Sequence, residues 1–123
     1  MSGPMRVLVV EDEFLIAMEV EDLLTEAGHE VVGPVGDVEA ALALIGRQPI
    51  DAAVLDVNLG DGATTVRVAA ELARRRIGFV LSTGYRQQDL ATEYGGDVPV
   101  IQKPIDGQRL LDALSKLSAQ NPA

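Results

Sequence analysis

Short apolar runs alternate along the chain with longer amphipathic stretches. The apolar runs are rich in Val and Ile and mostly lack a period-two alternation, which is typical of strands buried on both faces of a sheet. They predict five β-strands, over residues 6–10, 31–35, 52–55, 79–82 and 98–101.

The stretches between these strands carry apolar side chains at helical spacing, which predicts amphipathic helices. The first runs from Ile16 to Ala27 and ends at Gly28, a residue type that favours helix termination. Asp37 is the predicted N-terminal cap of the second. The remaining apolar helix faces begin at Val38, Val66 and Leu110, and a short polar helix is predicted over 87–94.

Strand and helix thus alternate five times, which predicts a parallel sheet with helices on both faces and right-handed crossovers. The fold class we expect is α/β, a flavodoxin-like doubly wound (βα)5 domain whose five parallel strands lie in the order 2-1-3-4-5. A single domain is expected over residues 5–119, with polar tails at 1–4 and 120–123. Met5 is a candidate for the native start.

Composition and charge narrow the class of protein. The 123 residues are 47% hydrophobic, enough for a core, and include no cysteine, which excludes disulfides and thiolate metal sites. No apolar run approaches the roughly 18 residues of a membrane span, and no secretory signal is visible, so we expect a cytoplasmic protein. The net charge of −9 disfavours nucleic acid and anionic membranes as partners and favours proteins or cations.

Chemistry-bearing residues stand directly after four of the predicted strands. Glu11-Asp12-Glu13 follow the first strand, Asp56 the third, Ser82-Thr83-Gly84 the fourth and Lys103-Pro104 the fifth. In a doubly wound sheet these carboxyl ends meet at one edge, beside the point where strand order reverses. We therefore expect one pocket that contains all four features.

Carboxylates that converge in one pocket repel each other, and a divalent cation relieves the repulsion. Oxygen ligands alone favour Mg²⁺ or Mn²⁺ over zinc. Thr83 adds a hydroxyl and Lys103 a positive charge, both suited to phosphoryl oxygens. This combination predicts phosphoryl transfer to an aspartate. Each residue alone also has an ordinary explanation, as a turn, cap or strand end, but those explanations do not predict their shared placement.

The sequence resembles a response-regulator receiver domain of two-component signalling from about residue 6 to residue 117. The stretches that carry the resemblance are 7–13 (VLVVEDE), 54–59 (VLDVNL), 81–85 (LSTGY) and Lys103-Pro104. The third resembles a receiver subgroup with a Phe-Ala-Thr-Gly-Tyr-like motif after strand four. The resemblance implies a phosphoprotein whose partners are a sensor histidine kinase or histidine phosphotransfer protein and a downstream protein target.

The resemblance also implies residue roles. Asp56 would accept the phosphoryl group as an aspartyl phosphate, with Thr83 as the switch hydroxyl and Lys103 as the cation that pairs with the group. Mg²⁺ would be held by Asp12, Asp56 and the backbone carbonyl of Asn58, with Glu11 acting through water. The Lys103-Pro104 peptide bond is expected to be cis. Such a domain is not an enzyme with an external substrate, although it catalyses its own phosphorylation and slow dephosphorylation.

Two positions depart from the family pattern. Val100 stands where most receivers have an aromatic switch residue, and Ile105 stands where Phe often follows Lys-Pro. Both bear on how phosphorylation is relayed to the face formed by the fourth helix, fifth strand and fifth helix. Our hypothesis is that Tyr85 supplies the missing aromatic side chain.

Other functions remain open at this stage. A haloacid-dehalogenase-like phosphatase also uses an aspartyl phosphate, but it usually has a second Asp where this chain has Asn58. A receiver that binds partners without being phosphorylated and a phosphate sink are further alternatives. A phosphorylation-dependent dimer is a further alternative for a receiver that is phosphorylated.

Overall fold

The computed structural model describes residues 3–60, 63–84, 93–96 and 98–120 of the chain. The described strands are β1 (Arg6–Val10), β2 (Glu30–Val35), β3 (Ala52–Asp56), β4 (Asn58–Leu59), β5 (Ala63–Thr64), β6 (Gly78–Thr83) and β7 (Val100–Gln102). The described helices are α1 (Phe14–Glu26), α2 (Val38–Arg47), α3 (Val66–Arg74) and the last helix, which we number α4 (Gly107–Gln120).

Five of the strands form one parallel sheet in the order β2-β1-β3-β6-β7. These are the five predicted strands in the predicted order 2-1-3-4-5, so the flavodoxin-like fold class is confirmed. The central strand β3 is buried at all five of its positions, as expected for a strand covered on both faces. Asp37 is also confirmed as the cap of α2, since its carboxylate accepts the Ala40 N–H at 2.7 Å.

Two apolar cores hold the sheet, one on each face. One core packs α2 and α3 against alternate strand residues such as Leu8 and Leu55. The other packs α1 and α4 against the intervening residues, such as Val9 and Val54. Because successive strand side chains point to opposite faces, both cores fix the position of the strand ends between them. Among the described residues, no helix combines the length and apolar character that crossing a bilayer requires.

The structure differs from the prediction in the start of the last strand and in an additional hairpin. The last strand begins at Val100 rather than at residue 98, because Pro99 has no N–H to donate, although its carbonyl accepts the Leu81 N–H at 2.9 Å. The short hairpin β4–β5 was not predicted, since strands of two residues have no detectable periodicity. The helix predicted over 87–94 lies mostly outside the described residues, of which Glu93 and Tyr94 are helical. The domain limits of 5–119 stay a prediction.

Candidate functional site

One open cavity of about 460 Å³ lies at the carboxyl ends of the parallel strands. Strands β1 and β3 are neighbours at the reversal of strand order, so the segments that follow them face each other. The cavity is lined by Asp12, Glu13, Asp56, Asn58, Gly60, Gly84 and Lys103. The structure thus brings most of the predicted site residues to one place.

Three carboxylates form the acidic part of the site. Glu11, Asp12 and Asp56 each place a carboxylate oxygen within 4.8 Å of the others. Glu11 and Asp56 are only 6% and 4% exposed, whereas Asp12 is exposed. The Glu11 carboxylate is oriented by the Glu13 N–H, which donates to its Oε2 at 3.1 Å. Two acidic side chains are therefore buried beside a third.

Lys103 supplies the positive charge of the site. Its Nζ lies 3.0 Å from Glu11 Oε1, 3.4 Å from Asp56 Oδ2 and 4.0 Å from Glu13 Oε1. Burial alone would lower the pKa of Lys103, but the hydrogen bond with Glu11 and the charges of Asp56 and Glu11 outweigh it and raise the pKa. The main chain holds this residue in register, because its N–H donates to the Thr83 carbonyl at 2.8 Å. The Lys103-Pro104 bond is cis, as the resemblance implied.

Asp56 is the titratable group most affected by this arrangement. Burial, followed by the hydrogen bond with Glu11 and the charge of Glu11, raises the pKa of Asp56 from 3.8 to about 7. The charge of Lys103 and the Asn58 N–H act in the opposite direction, the latter by donating to Asp56 Oδ1 at 3.3 Å. One lysine therefore does not neutralise the carboxylates around it.

The oxygen atoms at this site fit a Mg²⁺ ion. Asp12 and Asp56 offer carboxylates on the cavity wall, and Asn58 stands beside them at the start of β4. Gly60 leaves room for this arrangement, since a Cβ at its position would lie 3.2 Å from Asp12 Oδ2. Gly60 also has a positive φ of 34°, which disfavours other residue types. Glycine at this position was not singled out as a site residue from the sequence.

Thr83 and the switch positions are placed differently from the acidic cluster. Thr83 ends β6 next to the site, but its side chain is buried, at 3% exposure, and is not part of the cavity wall. Val100 is 44% exposed, and Ile105 packs on the edge of the core beneath α1 and α4. Tyr85, the residue of the alternative switch hypothesis, lies outside the described residues.

The sequence did not reveal that Thr65 contacts the main chain of Asp56 and that Tyr94 contacts Thr65. The Thr65 hydroxyl donates to the Asp56 carbonyl at 2.8 Å and lies 2.9 Å from the Tyr94 hydroxyl. A threonine directly before a helix is usually an N-terminal cap, and Thr65 does occupy that position of α3. Its side chain makes no capping hydrogen bond there. In the sequence, the position of Thr65 directly before a helix therefore indicates a cap and does not reveal its contact with Asp56.

Comparison with known proteins agrees with this geometry. Residues 7–115 match the family described as the response regulator receiver domain. The transcriptional regulatory protein PdtaR of Mycobacterium tuberculosis is 34% identical over 116 residues, a match that covers 90% of this chain and 55% of PdtaR. The chain spans about half the length of the curated relatives it matches.

Solved structures show the same fold. The solution structure of SdrG from Sphingomonas melonis Fr1 is 41% identical, with a TM-score of 0.76, and covers 95% of this chain and 98% of that one. A crystal structure of a response regulator receiver protein from Sinorhizobium medicae WSM419 has a TM-score of 0.84 at 24% identity, covering 97% of this chain and 98% of that one. Apart from Met5 and Leu117, the family match includes the residues of both cores, and it includes every segment that carries a described site residue. The chain therefore belongs to the response regulator receiver domain family, whose members act in two-component signalling.

Proposed function

We propose that this receiver domain accepts a phosphoryl group on Asp56, in a Mg²⁺-dependent reaction, from a sensor histidine kinase or a histidine phosphotransfer protein. The observation that carries the proposal is the position of Asp56. Its carboxylate lies on an open cavity, 3.4 Å from the Lys103 ammonium and within 4.8 Å of the carboxylates of Glu11 and Asp12. The phosphorylated domain then changes its contacts with a downstream protein.

The transfer itself requires little from the protein beyond positioning and charge. A carboxylate oxygen of Asp56 forms the bond to phosphorus while the phosphorus–nitrogen bond of phosphohistidine breaks, and the leaving imidazole nitrogen takes a proton from solvent. Asp12, Asp56 and the Asn58 carbonyl would hold a Mg²⁺ ion, with Glu11 acting through water, and the bound ion would supply neutralisation of charge on the phosphoryl oxygens. Lys103 pairs with a phosphoryl oxygen, and Thr83 turns its hydroxyl towards the group.

A dehalogenase-like phosphatase is the poorer explanation of this site. Such enzymes usually carry the nucleophile on the first strand, and Asp56 ends the third strand of the parallel sheet along the chain. Asn58 also stands in place of their second aspartate. The cytoplasmic location, the lack of an external substrate, the phosphate-sink role and a phosphorylation-dependent dimer stay predictions.

Phosphorylation is expected to depend on the Asp56 carboxylate and on Mg²⁺. After incubation with Mg²⁺ and acetyl phosphate, intact-mass spectrometry should show the wild type gaining the mass of one phosphoryl group and Asp56→Asn gaining none. Asp51→Asn is a matched control, because Asp51 is exposed and lies directly before β3. Its carboxylate accepts the Arg6 N–H, far from the strand ends that form the site. Labelling of Asp56→Asn, or labelling of the wild type in excess EDTA, would contradict the proposal.

The raised pKa of Asp56 predicts an unusual stability profile in the metal-free protein. The folded state binds the Asp56 proton more tightly than the unfolded state, so this contribution is fully present below about pH 4 and is lost as the pH rises through about 7. At pH 8 in EDTA, Asp56→Asn should therefore be more stable to urea than the wild type, by on the order of 2 kcal/mol. The difference should shrink as the pH falls to 5.

The same experiment has two internal checks. Mg²⁺ should reduce the difference between Asp56→Asn and the wild type at pH 8, because a ligand that binds the folded state stabilises it. Asp51→Asn should show no comparable gain. Equal or lower stability of Asp56→Asn at pH 8 in EDTA would mean that the buried charge is not unfavourable.

A side chain at Gly60 is expected to weaken metal binding, in addition to the backbone strain that its positive φ of 34° imposes. In Gly60→Ala the new Cβ displaces Asp12 Oδ2, which should weaken Mg²⁺ binding about fivefold, as measured by titration calorimetry. Gly46→Ala is the control, since a Cβ at this position in the last turn of α2 meets nothing within 4 Å. Wild-type Mg²⁺ affinity in Gly60→Ala would remove Asp12 from the ligand set.

A further inference from the structure

The peptide group between Asp56 and Val57 is held on both sides. Its carbonyl accepts the Thr65 hydroxyl at 2.8 Å, and its N–H, on Val57, donates to the Ser82 carbonyl at 2.9 Å. Because a peptide group is planar, holding both polar atoms fixes the orientation of its plane and thereby restrains the backbone torsions on either side of it. Those torsions set the direction of the Asp56 side chain and the path of the chain into Asn58.

Thr65 is in turn held by Tyr94. The single hydroxyl proton of Thr65 is used in the bond to the Asp56 carbonyl, so the Tyr94 hydroxyl is the donor of the 2.9 Å hydrogen bond between the two side chains. Burial raises the pKa of Tyr94, which keeps the hydroxyl protonated and able to donate. Thr65 is fully buried and Tyr94 is 6% exposed, so water competes little for these bonds.

Tyr94 is itself fixed in the core. Its ring lies against Phe79 of β6, with centroids 6.4 Å apart and the ring planes at 57°. It stands in the segment 93–96, which precedes the edge strand β7. Val100 on that strand is 44% exposed and is not aromatic. Thr65 therefore connects the main chain of Asp56 to an aromatic side chain, that of Tyr94. Tyr94 is not at the usual aromatic switch position, which Val100 occupies.

We propose that Thr65 and Tyr94 are positioning residues for Asp56, and that their hydrogen bonds couple the state of Asp56 to the segment 93–96. The inference rests on the proposed role of Asp56 as phosphoacceptor. A metal ion or phosphoryl group that moves the Asp56 carboxylate changes the strain on the 56–57 peptide, and the Thr65 hydroxyl passes this change to Tyr94.

A purely structural role for Thr65 makes a different prediction. If its hydroxyl only satisfies a buried carbonyl, its removal lowers the free energy of unfolding and leaves the geometry and metal affinity of the folded site unchanged. A positioning role also changes the site in molecules that remain folded. Urea unfolding therefore has to be measured beside a reporter of the 56–57 peptide itself.

The Val57 amide is that reporter, because its ¹⁵N shift depends on the hydrogen bond to the preceding carbonyl. We would record ¹H–¹⁵N spectra during Mg²⁺ titrations of the metal-free wild type, Thr65→Val, Thr65→Ser and Tyr94→Phe. Thr65→Val replaces the hydroxyl with a methyl group of the same shape, and Thr65→Ser keeps the hydroxyl. The matched control is Thr64→Val, which removes the neighbouring hydroxyl. The initial rate of labelling by acetyl phosphate is measured for each protein.

In the wild type, the amides of Val57 and of residues 93–96 should shift with the same Mg²⁺ dependence. Thr65→Val should displace the Val57 resonance before any metal is added. It should also weaken Mg²⁺ binding and slow labelling on the order of tenfold, since small displacements of a reacting group have effects of this size. Thr65→Ser should keep most of the Mg²⁺ affinity and most of the labelling rate. Thr64→Val should match the wild type. Tyr94→Phe should keep the Val57 response but lose that of residues 93–96.

The inference fails if folded Thr65→Val has the wild-type Val57 resonance and Mg²⁺ affinity, or if Thr64→Val has the same effect. It also fails if residues 93–96 do not respond to Mg²⁺ in the wild type. Should Thr65→Val not fold, Tyr94→Phe decides the coupling, because a wild-type response of residues 93–96 in that variant contradicts it. If no protein is labelled but the predicted shifts occur, the phosphoacceptor proposal fails and the positioning role of Thr65 and Tyr94 stands.

Discussion

Repulsion between buried carboxylates is the constraint on which this site depends. Glu11 and Asp56 are both almost fully buried beside the carboxylate of Asp12, and Lys103 provides the neighbouring positive charge. Burial of Asp56, followed by the hydrogen bond with Glu11 and the charge of Glu11, outweighs the charge of Lys103 and raises the pKa of Asp56. A divalent cation would relieve the repulsion between these carboxylates, which is the basis of the proposed Mg²⁺ dependence.

The fold keeps these charges together by holding the strand ends rigidly. Cores on both faces of the sheet fix β1 and β3 as neighbours, so Glu11 and Asp56 cannot move apart without disrupting the packing of α1, α2, α3 and α4. The peptide after Asp56 is further restrained by Thr65 and Ser82. Burial of apolar side chains thus holds together a cluster of carboxylates that is unfavourable by itself. A ligand that relieves the repulsion within this cluster gains that free energy on binding.

The sequence allowed the sheet order and the acidic cluster to be predicted, because both follow from local patterns. Buried strands appear as runs of Val and Ile, and the carboxyl ends of neighbouring parallel strands meet whatever lies between them in sequence. The bond between Thr65 and Tyr94 could not be predicted in this way, since it joins residues 29 positions apart in sequence. Likewise, no local pattern reveals that a Cβ at Gly60 would meet the Asp12 carboxylate.

A Mg²⁺ titration of the ¹⁵N-labelled wild type, followed residue by residue, tests the central claim most directly. With a net charge of −9, the protein attracts cations diffusely, so the location of the response decides the question. The account predicts saturable shifts concentrated at residues 11–13, 56–60 and 103 and, through Thr65 and Tyr94, at residues 93–96, with little change at the acidic residues further along α1. Shifts spread over the acidic surface, or no saturation at the strand ends, would contradict a built cation site at Asp56.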